Sequence, residues 1–88
     1  MLISELLFIV FGGLVMFKVT YSNVGDNMIC MDRFYPVDDL AEAMILVIAE
    51  CSRIVVSKFT GIKWVNACCY EINTEYGISG WVEIYNAR

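Results

Sequence analysis

The stretch MFKVTYS, residues 16–22, decides the fold of this chain. Its aromatic and valine residues alternate with Lys, Thr and Ser, which is the period-two pattern of a half-buried β-strand. Residues 23–27 (NVGDN) are rich in turn-forming residues, and residues 28–35 again have the composition of a strand. The sequence therefore predicts an antiparallel hairpin at the start of a domain that spans residues 16–88.

The segment before this strand is strongly apolar, since Glu5 is the single charged residue in 1–15. Residues 6–11 and 14–21 flank Gly12 and Gly13, and a Gly-Gly pair suits a two-residue hairpin turn. One interpretation of residues 1–15 is thus an extra N-terminal strand. Its weakness is that residues 6–11 are apolar on both faces, so both faces would need to be covered.

Two other interpretations of the same segment remain open. Residues 6–19 would anchor the chain in a bilayer, although the uninterrupted apolar run, 6–17, is shorter than the ~20 residues of a spanning helix. Alternatively, residues 1–15 are a translated leader. The codons of Gly12 and Gly13 can read GGAGGN, a bacterial ribosome-binding sequence, and two codons then precede Met16. Other glycine codons at these positions would remove that argument.

A helix is predicted over residues 39–59. Asp39 can accept a hydrogen bond from the first turn, Glu42 can reach back to complete a capping box, and Gly61 is placed to end the helix. Apolar residues recur at three- and four-residue steps: Leu40, Met44, Val47, Ile48, Cys51, Ile54, Val55 and Phe59. Residues 43–49 are apolar around the whole circumference, which predicts a second covered side and self-association through Met44, Ile45, Leu46 and Ile48.

Residues 63–72 and 80–86 are predicted as the third and fourth strands. The fold class that follows is α+β, a two-layer, mostly antiparallel sheet of order β-β-α-β-β with one long helix packed on one face. Alternation places Val65, Ala67, Cys69, Val82 and Ile84 under the helix. The other face would collect Trp64, Tyr70, Trp81, Glu83 and Tyr85.

This aromatic set has the composition of a protein-binding hot spot, because Trp and Tyr bury large rigid areas at small entropic cost. The alternative is a second core, covered by the N-terminal segment or by another copy of the chain. A second candidate surface is acidic and comprises Asp38, Asp39, Glu42 and Glu50. It would suit a basic partner, although the same residues also fit ordinary solvated charge and helix-dipole matching.

Composition bounds the function. Hydrophobic residues make up 59% of the 88, an excess that calls for a second buried surface. The net charge of −4 argues against direct nucleic-acid binding, and the absence of histidine argues against an enzyme. The four cysteines contain no C-x-x-C pair, so no metal or other cofactor is predicted, and they are expected to be free and mostly buried in a reducing cytosol.

Small size, acidic balance and an aromatic sheet face resemble the accessory proteins of bacteriophages and mobile elements. That resemblance implies a non-enzymatic, cytoplasmic module in a bacterial cell that binds and inhibits a host or defence protein, such as a nucleic-acid-handling enzyme, by covering its surface. A membrane-anchored accessory protein, with residues 6–19 in the bilayer, is one alternative. A structural homo-oligomer, with a homodimer as its simplest form and no inhibitory role, is another.

Overall fold

The computed structural model describes residues 16–55 and 58–87. These residues form β1 (Phe17–Val24), β2 (Ile29–Tyr35), α1 (Leu40–Ile54), β3 (Phe59–Asn66), β4 (Cys69–Thr74) and β5 (Gly77–Asn86). The five strands make one antiparallel sheet in the order β2-β1-β5-β4-β3, with β5 in the centre. The predicted α+β class is confirmed, and the helix packs against the sheet.

The hairpin predicted from residues 16–35 is confirmed. Phe17 pairs with Tyr35, and Tyr21 pairs with Met31. On its other side, β1 pairs with β5 from Phe17 to Ser22. Both edges of β1 are therefore occupied by other strands of the described sheet. Residues 6–11 are predicted to form an arm that precedes β1. That predicted arm itself lies outside the described residues.

The helix begins where the sequence predicts. The Asp39 side chain accepts a hydrogen bond from the Glu42 backbone N–H at 2.8 Å, as an N-cap does. The predicted end at residue 59 is wrong, because α1 ends at Ile54 and Phe59 begins β3. Gly61 consequently lies inside β3 and is not a helix cap. The β-branched side chains after Arg53 favour extended backbone, which explains the earlier end.

The single strand predicted over residues 63–72 is also wrong, because a tight turn at Ala67 and Cys68 divides it into β3 and β4. Ala67 takes a positive φ of 43°, which is uncommon for a residue other than glycine. The Trp64 indole N–H donates to the Ala67 carbonyl at 2.9 Å and holds this turn. The element order is thus β-β-α-β-β-β, with one strand more than predicted.

The core lies between α1 and one face of the sheet. The helix contributes Ala43, Val47 and Cys51, which follow one another at four-residue steps and are fully buried. Val55, which directly follows the helix, and eight sheet residues complete the cluster: Phe17, Val19, Tyr21, Val24, Tyr70, Ile72, Val82 and Ile84. The buried Tyr21 hydroxyl is 3.0 Å from that of Tyr35, so it has a hydrogen-bond partner.

No helix within residues 16–55 and 58–87 combines the length and hydrophobicity needed to cross a bilayer. The predicted bilayer segment, residues 6–19, ends inside the sheet, because Phe17, Lys18 and Val19 are strand residues of β1. Its earlier part lies outside the described residues.

Candidate protein-binding surfaces

The sheet face opposite α1, called the outer face here, presents three alternate residues of the central strand: Trp81, Glu83 and Tyr85. Val82 and Ile84, between them, are buried under the helix as predicted. Within the described residues α1 is the sole helix, and it packs on the other side of the sheet. Trp81 accordingly keeps 43% of its surface exposed and Tyr85 keeps 37%.

Trp81 lies near the middle of the outer face because its neighbours on both sides are paired strands. Ser22 of β1 is its register partner on one side, and Glu71 of β4 is its partner on the other. Two residues further along β5, on the same face, Glu83 lies between Thr20 and Cys69. A large aromatic side chain thus has mainly polar neighbours, which is the usual composition of an interface centre with hydrogen-bonding groups at its margin.

Tyr85 and Glu83 form a polar pair beside this centre. The Tyr85 hydroxyl donates a hydrogen bond to the Glu83 carboxylate. This bond holds the pKa of Tyr85 above its usual value, because ionisation would break it and place two negative charges together. Lys18, the register partner of Tyr85, lies 3.9 Å from Asp32 and adds an exposed ion pair.

The prediction that Trp64 and Tyr70 share the outer face with Trp81 and Tyr85 is wrong. Tyr70 is only 8% exposed and belongs to the core, where it pairs with the buried Val82. Trp64 pairs with Tyr70 across β3 and β4, so it lies on the helix side of the sheet, at an edge strand, and is 60% exposed. The turn at Ala67 and the irregular pairing beside it reverse the expected faces.

Because the two faces of β4 are reversed, residues that the sequence did not assign to the outer face lie on it. Cys69 was expected under the helix, but it lies on the outer face beside Glu83, and Glu71 lies beside Trp81. All four cysteines are free, as predicted, but Cys51 alone is buried. Cys30 is exposed, and Cys68 and Cys69 are half-buried. The sequence would have predicted the positions of Cys69 and Glu71 on the outer face only if the turn at Ala67 and Cys68 had been recognised.

Three of the four predicted acidic residues come together at the start of α1. The side-chain oxygens of Asp38, Asp39 and Glu42 lie within 4.8 Å of one another, and all three residues are exposed. Exposed carboxylates that cap a helix often cluster in this way without a bound cation. Glu50 is separate, because it is paired with Arg53 at 2.7 Å and with Arg33 at 3.6 Å. The hydrogen bonds from Arg53 lower its pKa.

Replacing Asp38 with asparagine is expected to lower the pKa of Glu42. In the wild type, the charges of Asp39 and then Asp38 raise the pKa of the Glu42 carboxyl. A carboxyl group whose pKa is raised by folding stabilises the folded protein at pH values below its unfolded pKa. This contribution is lost as the pH rises through the pKa of the folded state. Carboxyl-detected NMR titration measures the change directly. Asp32→Asn is the control, since Asp32 lies in β2, and an unchanged Glu42 titration in Asp38→Asn would contradict the coupling.

The residues predicted to mediate self-association divide between the core and the surface. Met44 packs partly against the core cluster. Ile45 and Ile48 are 66% and 40% exposed, and Leu46 is 36% exposed. Helical spacing places Ile45 and Ile48 on one side of α1 and Leu46 on the other.

Comparison of the chain with protein-family models, with curated proteins and with solved structures gave no match.

Proposed function

We propose that the chain is a non-enzymatic protein-binding module that acts through the outer face and covers a surface of its partner. One observation supports this most: Trp81 lies on the central strand, on the face away from α1, and is 43% exposed. A tryptophan in that position is already held in place by the strands on either side. It therefore offers contact area to a partner at small cost in conformational entropy.

Trp81 is expected to contribute substantially to the free energy of binding. The exposed part of Trp81 amounts to about 100 Å², which at ~25 cal/mol per Å² corresponds to roughly 2.5 kcal/mol when a partner covers it. Ser22 and Glu71 on either side can hydrogen-bond the partner at the margin. We infer a partner with an apolar pocket for the indole and donor groups facing Glu71 and Glu83.

The class of partner that we propose is a host or defence protein in the bacterial cytoplasm, inhibited by occlusion, as in the accessory proteins of bacteriophages and mobile elements. The net charge of −4 fits a basic partner such as a nucleic-acid-handling enzyme. Asp38, Asp39 and Glu42 provide a second acidic surface at the start of α1. A non-enzymatic role is supported by the absence of histidine in the sequence.

The test compares Trp81→Ala with Tyr76→Ala. Partners are captured from the native host with the wild-type chain, and the dissociation constant of each purified partner is then measured for all three proteins. Trp81→Ala is expected to weaken binding by about 30-fold or more, as a hot-spot residue does. Tyr76→Ala is the matched control because it removes another large aromatic side chain, 78% exposed, from the turn between β4 and β5.

We expect the control to remain within about threefold of the wild type, the effect of a peripheral contact. Circular dichroism shows whether each variant is folded. Equal effects of the two substitutions, or binding unaffected by Trp81→Ala, would remove the outer face as the binding surface. Loss of binding through Asp38→Asn alone would transfer the proposal to the acidic cluster.

A further inference from the structure

The exposed side of α1 carries a stripe of four residues that no part of the outer-face proposal uses: Ala41, Ile45, Ile48 and Ser52. All four are exposed, and Ile45 is the most exposed isoleucine of the described residues, at 66%. Their spacing of four, three and four residues places them in one row along the helix. This row is called the helix stripe below.

The order of residues in the helix stripe is symmetric: small, Ile, Ile, small. When two such helices pack antiparallel about a twofold axis, the first residue of one stripe meets the last residue of the other. Ala41 would then face the partner's Ser52, and Ile45 would face the partner's Ile48. Small residues at both ends allow the close approach of 8–10 Å that helix pairs adopt, and the two Ile side chains fill the centre.

The Ser52 hydroxyl does not oppose burial of this stripe. It donates a hydrogen bond to the Ile48 carbonyl of its own helix at 2.8 Å. A hydroxyl that is already bonded can be covered by another protein without leaving an unpaired polar group. The stripe is therefore effectively apolar along its length.

Charge complementarity favours a second copy of this chain as the occupant. The first turn of α1 carries Glu42 and the last turn carries Arg53. The two residues are eleven positions apart, so they lie on the same flank of the helix at opposite ends. In an antiparallel pair, Glu42 lies beside the partner's Arg53, and the symmetry repeats this contact once. Arg53 keeps an exposed side chain while it contacts Glu50, so its guanidinium can serve both carboxylates.

From these observations we propose that the chain forms a twofold-symmetric dimer through the helix stripe, with the α1 helices antiparallel. The helix has 15 residues and is about 22 Å long. An interface built mainly on it falls below the ~1,200 Å² of standard stable complexes. The dimer is accordingly a micromolar one, and it leaves the outer face, on the other side of the sheet, free for the proposed partner.

Charge reversal tests this arrangement with the full chain. Sedimentation equilibrium of the wild type is expected to give a concentration-dependent monomer–dimer equilibrium in the micromolar range. Glu42→Arg alone places two arginines together at each end of the pair, and Arg53→Glu alone places two glutamates together. Each is expected to raise the dissociation constant at least about tenfold. An equimolar mixture of the two variants restores opposite charges at both ends, and should form heterodimers with near wild-type affinity.

Further variants separate this proposal from the outer-face proposal and from misfolding. Ile45→Glu places a charge in the stripe at an exposed position, so it should abolish the dimer while the melting temperature stays close to that of the wild type. Trp81→Ala should leave the dimer intact, because it alters the other side of the sheet. A wild type that is monomeric at several hundred micromolar would overturn the proposal. So would a dimer that survives Ile45→Glu, or a mixture of charge variants that stays monomeric.

Discussion

Replacing Gly80 with alanine is expected to lower the free energy of unfolding by about 4 kcal/mol. Gly80 is a buried residue of β5 with a φ of +114°, a conformation that residues with a Cβ rarely adopt. A Cβ at this position would lie 2.6 Å from the Asn23 carbonyl oxygen and 2.8 Å from that of Ser22. These are backbone atoms of the paired strand β1, which cannot rotate away as a side chain would.

Gly77 provides a matched control, because its φ of +115° is nearly identical and a Cβ there would meet nothing within 4 Å. Gly77→Ala should therefore show only the backbone strain, about 1–2 kcal/mol. The difference between the two losses in unfolding free energy gives the cost of the contact between the added Cβ and the backbone of β1. Urea denaturation at constant temperature measures both, and equal losses would show that the close approach contributes nothing.

Gly80 affects both the packing of the sheet and the outer face. Gly80 precedes Trp81 directly, so the backbone at Gly80 determines that the indole points to the outer face and Val82 to the core. Gly25 makes a similar close approach nearby, where an added Cβ would lie 2.9 Å from the Ile54 carbonyl oxygen. Its N–H donates to the Ser79 carbonyl at 3.1 Å. The turn after β1 is therefore packed against both the end of α1 and the early part of β5.

Local patterns predicted the elements whose causes are local. Alternation in residues 16–22 predicted β1, and the side chain of Asp39 predicted the start of α1. Alternation in β5 predicted that Val82 and Ile84 face the helix, and this is also observed. In each case the signal lies within a few residues of the feature that it predicts.

The turn between β3 and β4 could not be predicted in this way. No glycine or proline marks it, and it is held by the Trp64 indole, which bonds to the Ala67 carbonyl. The unpredicted turn changes which face each residue of β4 occupies, since a shift of one position along a strand moves every side chain to the other face. Tyr70 consequently moved from the predicted binding surface to the core, and Cys69 moved the other way.

Raising the pH above 9 is expected to destabilise the protein steeply through Cys51. Burial raises the pKa of the Cys51 thiol from its ordinary value of 9.0 to about 12. In the unfolded chain the thiol ionises near its ordinary value, whereas in the folded protein it must stay protonated. The stability contributed by the neutral thiol is therefore complete below pH 9 and is lost as pH rises toward 12. At ~1.4 kcal/mol per unit, the loss approaches about 4 kcal/mol.

The control for this titration is Cys51→Ala, which removes the ionisable group. Its unfolding free energy should start lower, since a small cavity replaces the sulfur, but should fall more gently between pH 9 and 12. Tyr21 has a raised pKa for the same reason, its burial, so a residual slope is expected above pH 10. Comparing slopes rather than absolute values separates the thiol from the cavity. Parallel curves for the two proteins would contradict the assignment to Cys51.

Burial of Cys51 also lowers its reactivity as a nucleophile. A thiol acts as a nucleophile only as the thiolate, and the raised pKa of Cys51 keeps it protonated in the folded protein. A disulfide reagent at pH 8 should therefore label Cys51 only as fast as the protein unfolds, whereas the exposed Cys30 should react at once. Mass spectrometry of quenched samples distinguishes the two sites. Equal labelling rates in the folded protein would mean that Cys51 is accessible, which would count against the proposed non-enzymatic role.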